Sequence, residues 1–169
     1  MTLGVGIGWL AEEFKVIGIP FEERTHRTDE YIQAMRALWS QDETFAGRFT
    51  SFENARSNPK PVQEGGVPIV VGGHTKGAAR RAGRLGDGFF PARGDIPVLI
   101  DEMKRAAKDA GRDPDAIEVT TGGGWDVDAA KALEDQGVSR IVFPPPTFDP
   151  NDMGRALGEI SENFIQKIA

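Results

Sequence analysis

Short apolar runs alternate with longer amphipathic stretches along this chain. Leu3-Gly-Val-Gly-Ile-Gly-Trp9 is brief, apolar and glycine-rich, the pattern of a buried strand opening into a loop. From Pro20-Phe-Glu-Glu a helix is predicted through Tyr31-Ile32, Met35 and Leu38-Trp39, because these apolar positions recur every three or four residues as one stripe. Pro20 suits the first turn, and Glu22 and Glu23 favour the positive end of the helix dipole. Thr44-Phe-Ala-Gly-Arg-Phe-Thr-Ser-Phe52 reads as a small β-hairpin turning at Gly47. Asn58-Pro-Lys-Pro-Val-Gln63 then runs as proline-stiffened extended chain.

Beyond residue 66 the alternation is regular. Strands are predicted at 68–73, 88–90, 116–121 and 140–143, and helices at 75–85, 96–110, 126–136 and 153–168. Gly111 and Gly137 stand just past two helix ends, where a left-handed residue closes the last turn. Strands followed by helices of about a dozen residues imply βαβ units and a parallel sheet. The fold class is therefore α/β, of the (β/α)8 TIM-barrel type. A closed barrel of that type has eight strands and about 250 residues. Only five strands are legible here, so the count predicts a single domain over 1–169 truncated at the N-terminus, about five of eight units, with the hairpin near 44–52 as an excursion. An open parallel sheet has two free edges, which predicts a homo-oligomer or pairing through those edges.

Composition narrows the partners. The 169 residues carry a formal charge of −6, with 39% hydrophobic and 27% charged positions, an ordinary globular mix. A surface of that sign repels phosphate backbones, so no nucleic acid is expected. The densest basic stretch, Lys76-Gly-Ala-Ala-Arg80-Arg81-Ala-Gly-Arg84, reads as a solvated helix face. No apolar run approaches the roughly 20 residues that span a bilayer, and the start lacks a signal-peptide pattern, so the expectation is no membrane and a cytoplasmic location. With no cysteine there is no thiolate ligand or nucleophile. The two histidines, His26 and His74, have no serine partner by spacing, and Asp126, Asp128 and Glu134 lack metal-ligand spacing, so neither a triad nor a metal site is expected.

Three segments in order resemble the luciferase-like monooxygenase superfamily, especially its deazaflavin (coenzyme F420) branch. The first is Leu3-Gly-Val-Gly-Ile-Gly-Trp9 with Glu13-Phe14 and Ile19-Pro-Phe-Glu-Glu-Arg24. The second is Asp29-Glu-Tyr-Ile-Gln-Ala-Met-Arg-Ala-Leu-Trp39, leading to Phe45-Ala-Gly-Arg-Phe49 and Pro59-Lys-Pro-Val-Gln63. The third is Pro68-Ile-Val-Val-Gly-Gly-His74 with Ala82-Gly-Arg-Leu-Gly-Asp-Gly88. The resemblance covers about residues 3 to 91 and makes the Gly-Val-Gly strand about the fourth of the barrel. It implies an oxidoreductase that passes a hydride between F420, or alternatively FMN, and a small organic substrate. The other reading is a non-catalytic flavin-binding or interaction protein derived from such a barrel.

The same resemblance assigns residues. The turn Gly72-Gly73-His74-Thr75, from strand to helix, is implied to hold the cofactor phosphate, since free N–H groups and the helix dipole attract anions there. Its plainer reading is a tight turn with Thr75 as N-cap. Gly6 and Gly8 are implied to face the cofactor, or else to permit close packing; Glu12 is implied to contact its ring or tail, or else to begin a helix. Trp9 walls an apolar substrate pocket or fills core. It stands where the sugar-phosphate dehydrogenase subgroup carries a proton-transferring glutamate. That subgroup also places a threonine and a lysine where Ala92 and Asp95 stand here, so a sugar phosphate is disfavoured. Arg93 follows a strand on the side where barrel active sites are built, to meet a substrate anion or to lie on the surface. Gly122-Gly-Gly-Trp125 lines the same mouth. No catalytic residue is assigned.

Overall fold

The computed structural model describes residues 1–168. Seven strands and seven α-helices succeed one another as β1 (Leu3–Val5), α1 (Ala11–Val16), α2 (Arg24–Trp39), β2 (Phe45–Ala46), β3 (Ser51–Phe52), β4 (Ile69–Gly72), α3 (Lys76–Leu85), β5 (Gly88–Phe90), α4 (Ile96–Asp109), β6 (Glu118–Gly122), α5 (Val127–Asp135), β7 (Arg140–Val142), α6 (Met153–Ile160) and α7 (Gln166–Ile168). Five strands form one sheet in the order β1-β4-β5-β6-β7, every neighbouring pair parallel. This is the α/β strand–helix repeat expected from the alternation.

The register sorts the strand residues onto two faces. Val5, Val71, Phe89 and Val119 stand side by side on one face, where helices α3 and α4 cover them with Ala79, Ala82, Ile100 and Met103. Gly4, Val70, Gly88 and Glu118 form a row on the opposite face, which Gly72 and Phe90 continue. Helices α3 and α4 meet so closely that a Cβ on Gly83 would lie 2.3 Å from the Met103 carbonyl oxygen. Only glycine allows that approach.

Polar ties fix the frame. Asp87 Oδ2 accepts the Ile69 N–H at 2.8 Å, and Arg112 closes the end of α3 by donating to the carbonyls of Gly83 and Gly86, each at 2.7 Å. The β2–β3 hairpin is pinned to α2 by Glu30, whose carboxylate accepts the N–H groups of Arg48, Phe49 and Thr50 at 2.9, 2.7 and 2.8 Å. Burial works against the Glu30 charge, but those donors and nearby Arg27 outweigh it and hold the carboxyl below its ordinary value.

Three expectations need correction. The first strand, expected to be buried, runs from Leu3 to Val5 at an edge of the sheet with Gly4 exposed, and after a loop in which Gly8 is left-handed (φ 76°) the chain forms helix α1. The basic stretch is not simply a solvated face. Arg81 is 2% exposed, pairs with Asp29 of α2 and donates to the Thr25 carbonyl at 3.2 Å, while Arg84 reaches Asp29 at 2.8 Å. Burial of that guanidinium is tolerable only because a carboxylate from another helix meets it. The last helix is interrupted by a wide turn at residues 161–165. There Phe164 packs edge-on against Trp125 and Phe143, at centroid distances of 5.5 and 5.0 Å. Gly111 (φ 69°) and Gly137 (φ 91°) do adopt the left-handed closure expected of them.

Candidate functional site at the carboxyl ends of the strands

In a parallel sheet all strands end on one side, so the loops that follow them gather there. Here those loops carry Gly6 to Trp9 after β1, Gly73 to Thr75 after β4, Pro91 to Asp95 after β5 and Gly123 to Asp126 after β6. Each of the helices α3, α4 and α5 starts with a side-chain cap. Thr75 Oγ1 accepts from the Ala78 N–H at 3.2 Å, Asp95 Oδ1 from Val98 at 3.2 Å and Asp126 Oδ1 from Ala129 at 2.7 Å. Two of the three positive helix ends thus already face a carboxylate, whereas α3 faces a neutral hydroxyl.

The turn before α3 is open backbone. Gly72 and Gly73 are half-buried, His74 and Thr75 exposed. Gly73 has φ 145°, and a Cβ there would lie 2.7 Å from that of Ala78, so this conformation is reserved for glycine. Gly73 N–H donates to the Phe90 carbonyl at 3.1 Å, extending the β4–β5 ladder. In front of the turn, Arg93 Nη2 lies 3.2 Å from His74 Nε2. Arginine can only donate, so in this contact the imidazole nitrogen accepts.

The structure joins some of the residues singled out in the sequence and leaves others apart. Gly6 and Gly72 line one shallow cavity of about 290 Å³ with Val70 and Phe90, on the sheet face opposite α3 and α4. Gly6 and Gly8 also line a cleft of about 310 Å³ between the β1 loop and α2, with Arg24 and Tyr31. His74 and Arg93 meet directly. Trp9 is 82% exposed, and Glu12 stands exposed in the first turn of α1. Trp125 is stacked on Phe143 at 4.3 Å rather than standing free at the mouth. The residue least legible beforehand was Arg24, whose Nε is buried without a hydrogen-bond partner beside that cleft. Its only signal was its place in the Phe-Glu-Glu-Arg segment. Among the described residues no cluster of His, Asp and Glu with metal-holding geometry occurs, and no helix is long and apolar enough to cross a membrane.

Parallel strands with glycine-bearing turns at their carboxyl ends define an α/β protein of the kind that receives ligands along that rim. The chain belongs to the luciferase-like monooxygenase family, whose model matches residues 1–143. An uncharacterized protein of Mycobacterium tuberculosis is 36% identical over 98% of this chain, which spans 61% of that relative's length. The FMNH(2)-dependent dimethylsulfone monooxygenase of Pseudomonas fluorescens is 39% identical over 63% of this chain and 31% of its own. Among solved structures, the coenzyme F420 dependent tetrahydromethanopterin reductase from Methanopyrus kandleri superposes with a TM-score of 0.72 at 14% identity, covering 99% of this chain and 74% of its own, a likeness of fold.

Proposed function

We propose that this chain forms the phosphate-holding side of a flavin-type oxidoreductase that uses F420, or alternatively FMN, and acts on a small organic substrate. The observation that carries the reading is the Gly72–Thr75 turn. It is an open glycine backbone leading into a helix whose cap is a neutral hydroxyl and whose first turn carries no acidic residue. A Cβ at Gly73 would lie 2.7 Å from that of Ala78, so glycine lets the turn lie close against the start of α3, and the neutral cap of that helix fits a phosphoryl group. The relatives' names, an FMNH(2)-dependent monooxygenase and an F420 dependent reductase, support both cofactors equally.

When bound, the ring system supplies the hydride chemistry. The chain's own residues orient it. Gly72, Gly73, His74 and Thr75 hold the phosphate; Gly6 and Gly8 let the ring system approach the sheet closely; Glu12 lies toward its tail; Trp9 and Arg93 bound the substrate space. Asp95 and Asp126 are occupied as helix caps, which leaves the proton-moving group of the complete site unassigned on these loops.

The test is a fluorescence titration of the chain with F420 and with FMN, followed by assay for turnover with a reductant. Saturable micromolar binding supports the reading; no binding of either overturns it. Binding without turnover favours the non-catalytic alternative. The observation on the side of that alternative is the exposed apolar side chains near β1: Trp9, and Val16 and Ile17 at 86% and 64% exposure.

A further inference from the structure

We infer that Arg93 is a specificity-determining residue of the anion turn, reaching across from the neighbouring strand to grip the phosphoryl group. The inference rests on the reading above and deepens it, since it moves Arg93 from the substrate space to the cofactor's phosphate. Strands β4 and β5 are adjacent and lie inside the sheet, so both loops that build this corner are present in the chain. A Cβ on Gly94 would lie 3.9 Å from the His74 carbonyl oxygen, which measures how closely the two loops run.

Three features of the corner point the same way. The Arg93 guanidinium is exposed and, among the described residues, forms no ion pair; its one side-chain partner is the His74 ring nitrogen at 3.2 Å. No carboxylate meets that charge among the described residues, unlike Arg81 and Arg84, which both reach Asp29. The first turn of α3 adds its dipole to the same corner, and its cap Thr75 contributes no negative charge. The acid nearest in sequence, Asp95, accepts the Val98 N–H as the cap of α4 and forms no ion pair with Arg93. A planar guanidinium matches a phosphoryl group with two parallel hydrogen bonds.

The experiment compares phosphorylated and unphosphorylated probes on the full chain. FMN is titrated against riboflavin, and F420 against the deazaflavin riboside core that lacks the phosphodiester. The wild type is expected to prefer FMN and F420. R93A is expected to weaken both by about ten- to a hundredfold and to leave riboflavin unchanged. R93K, which keeps the charge but loses the fork, recovers part of the loss. R155A removes the same charge from α6 and leaves every affinity as it was. If the wild type prefers the phosphorylated probes and R93A, folded by circular dichroism, keeps that preference, the inference on Arg93 is overturned while the phosphate turn stands. An equal effect of R155A also overturns it. If the wild type shows no preference for phosphate, both readings fall.

Discussion

Arg36 Nη2 lies 2.9 Å from Asp87 Oδ2, an ion pair that ties helix α2 to the turn opening β5. The same oxygen accepts the Ile69 N–H, so one carboxylate fixes a helix and the first residue of β4 together. The Gly-Asp-Gly segment, read in the sequence as a mark of resemblance, is therefore a mechanical joint. Its aspartate sets the register of the two strands whose ends carry the candidate site.

Removing that joint is expected to loosen the whole sheet. Asp87→Ala deletes the acceptor of both hydrogen bonds and is expected to destabilise the fold by about 2 kcal/mol, Arg36→Ala by about 1 kcal/mol, since a hydrogen bond to a half-exposed charge contributes in that range. Urea denaturation of both variants and of the double variant measures it. Strictly additive losses would mean that the pair does not couple.

Gly83→Ala probes the α3–α4 contact. The new methyl would meet the Met103 carbonyl oxygen and the Ala107 nitrogen, 2.3 and 2.8 Å from its built position, backbone on both sides. Overpacking against backbone is expected to cost about 3 kcal/mol and to lower the melting temperature by several degrees. An unchanged melting curve would show that the helices separate freely.

The hairpin carries an acid-sensitive tie. Glu30 has a folded-state carboxyl value held below its ordinary 4.5, so its contribution is complete above 4.5 and disappears as the pH falls through the lower folded value. The slope of stability against pH below 4.5 is expected to shrink in Glu30→Gln, with amide exchange at Phe49 and Thr50 accelerated at neutral pH. If wild type and variant give superimposable pH profiles, the carboxylate is not the anchor.

Gly73→Ala tests the turn itself. With φ at 145° and Ala78 in the way, the substitution is expected to cost about 1–3 kcal/mol of strain and to displace the start of α3. Affinity for FMN and F420 is then expected to fall while the far-ultraviolet spectrum stays that of the wild type. Undiminished affinity in a folded variant would remove the turn from the binding reading.

Much of this protein was legible along the chain because its causes are local. The apolar run Ile69-Val-Val71 marks β4, Gly111 and Gly137 mark helix ends, and Gly72-Gly73 ahead of Thr75 mark a strand-to-helix turn, each within a few residues of its own effect. The hairpin at 45–52 was visible for the same reason, since its aromatic ends, Phe45 and Phe52, face each other across a short turn. The family was legible too, because its marks are ordered segments rather than distant contacts.

What only the tertiary structure decided are the meetings of charged groups far apart in sequence. Nothing near Arg81 announces that it is buried, because the carboxylate that makes burial tolerable is Asp29, carried by another helix. Nothing near Glu30 announces that it holds the hairpin turn of 48–50. Arg93 looked like a lone rim residue until the parallel register of β4 and β5 set its loop beside that of His74. Periodicity fixes which face a residue takes; which charge stands opposite depends on strand order and helix crossing, which no local pattern encodes.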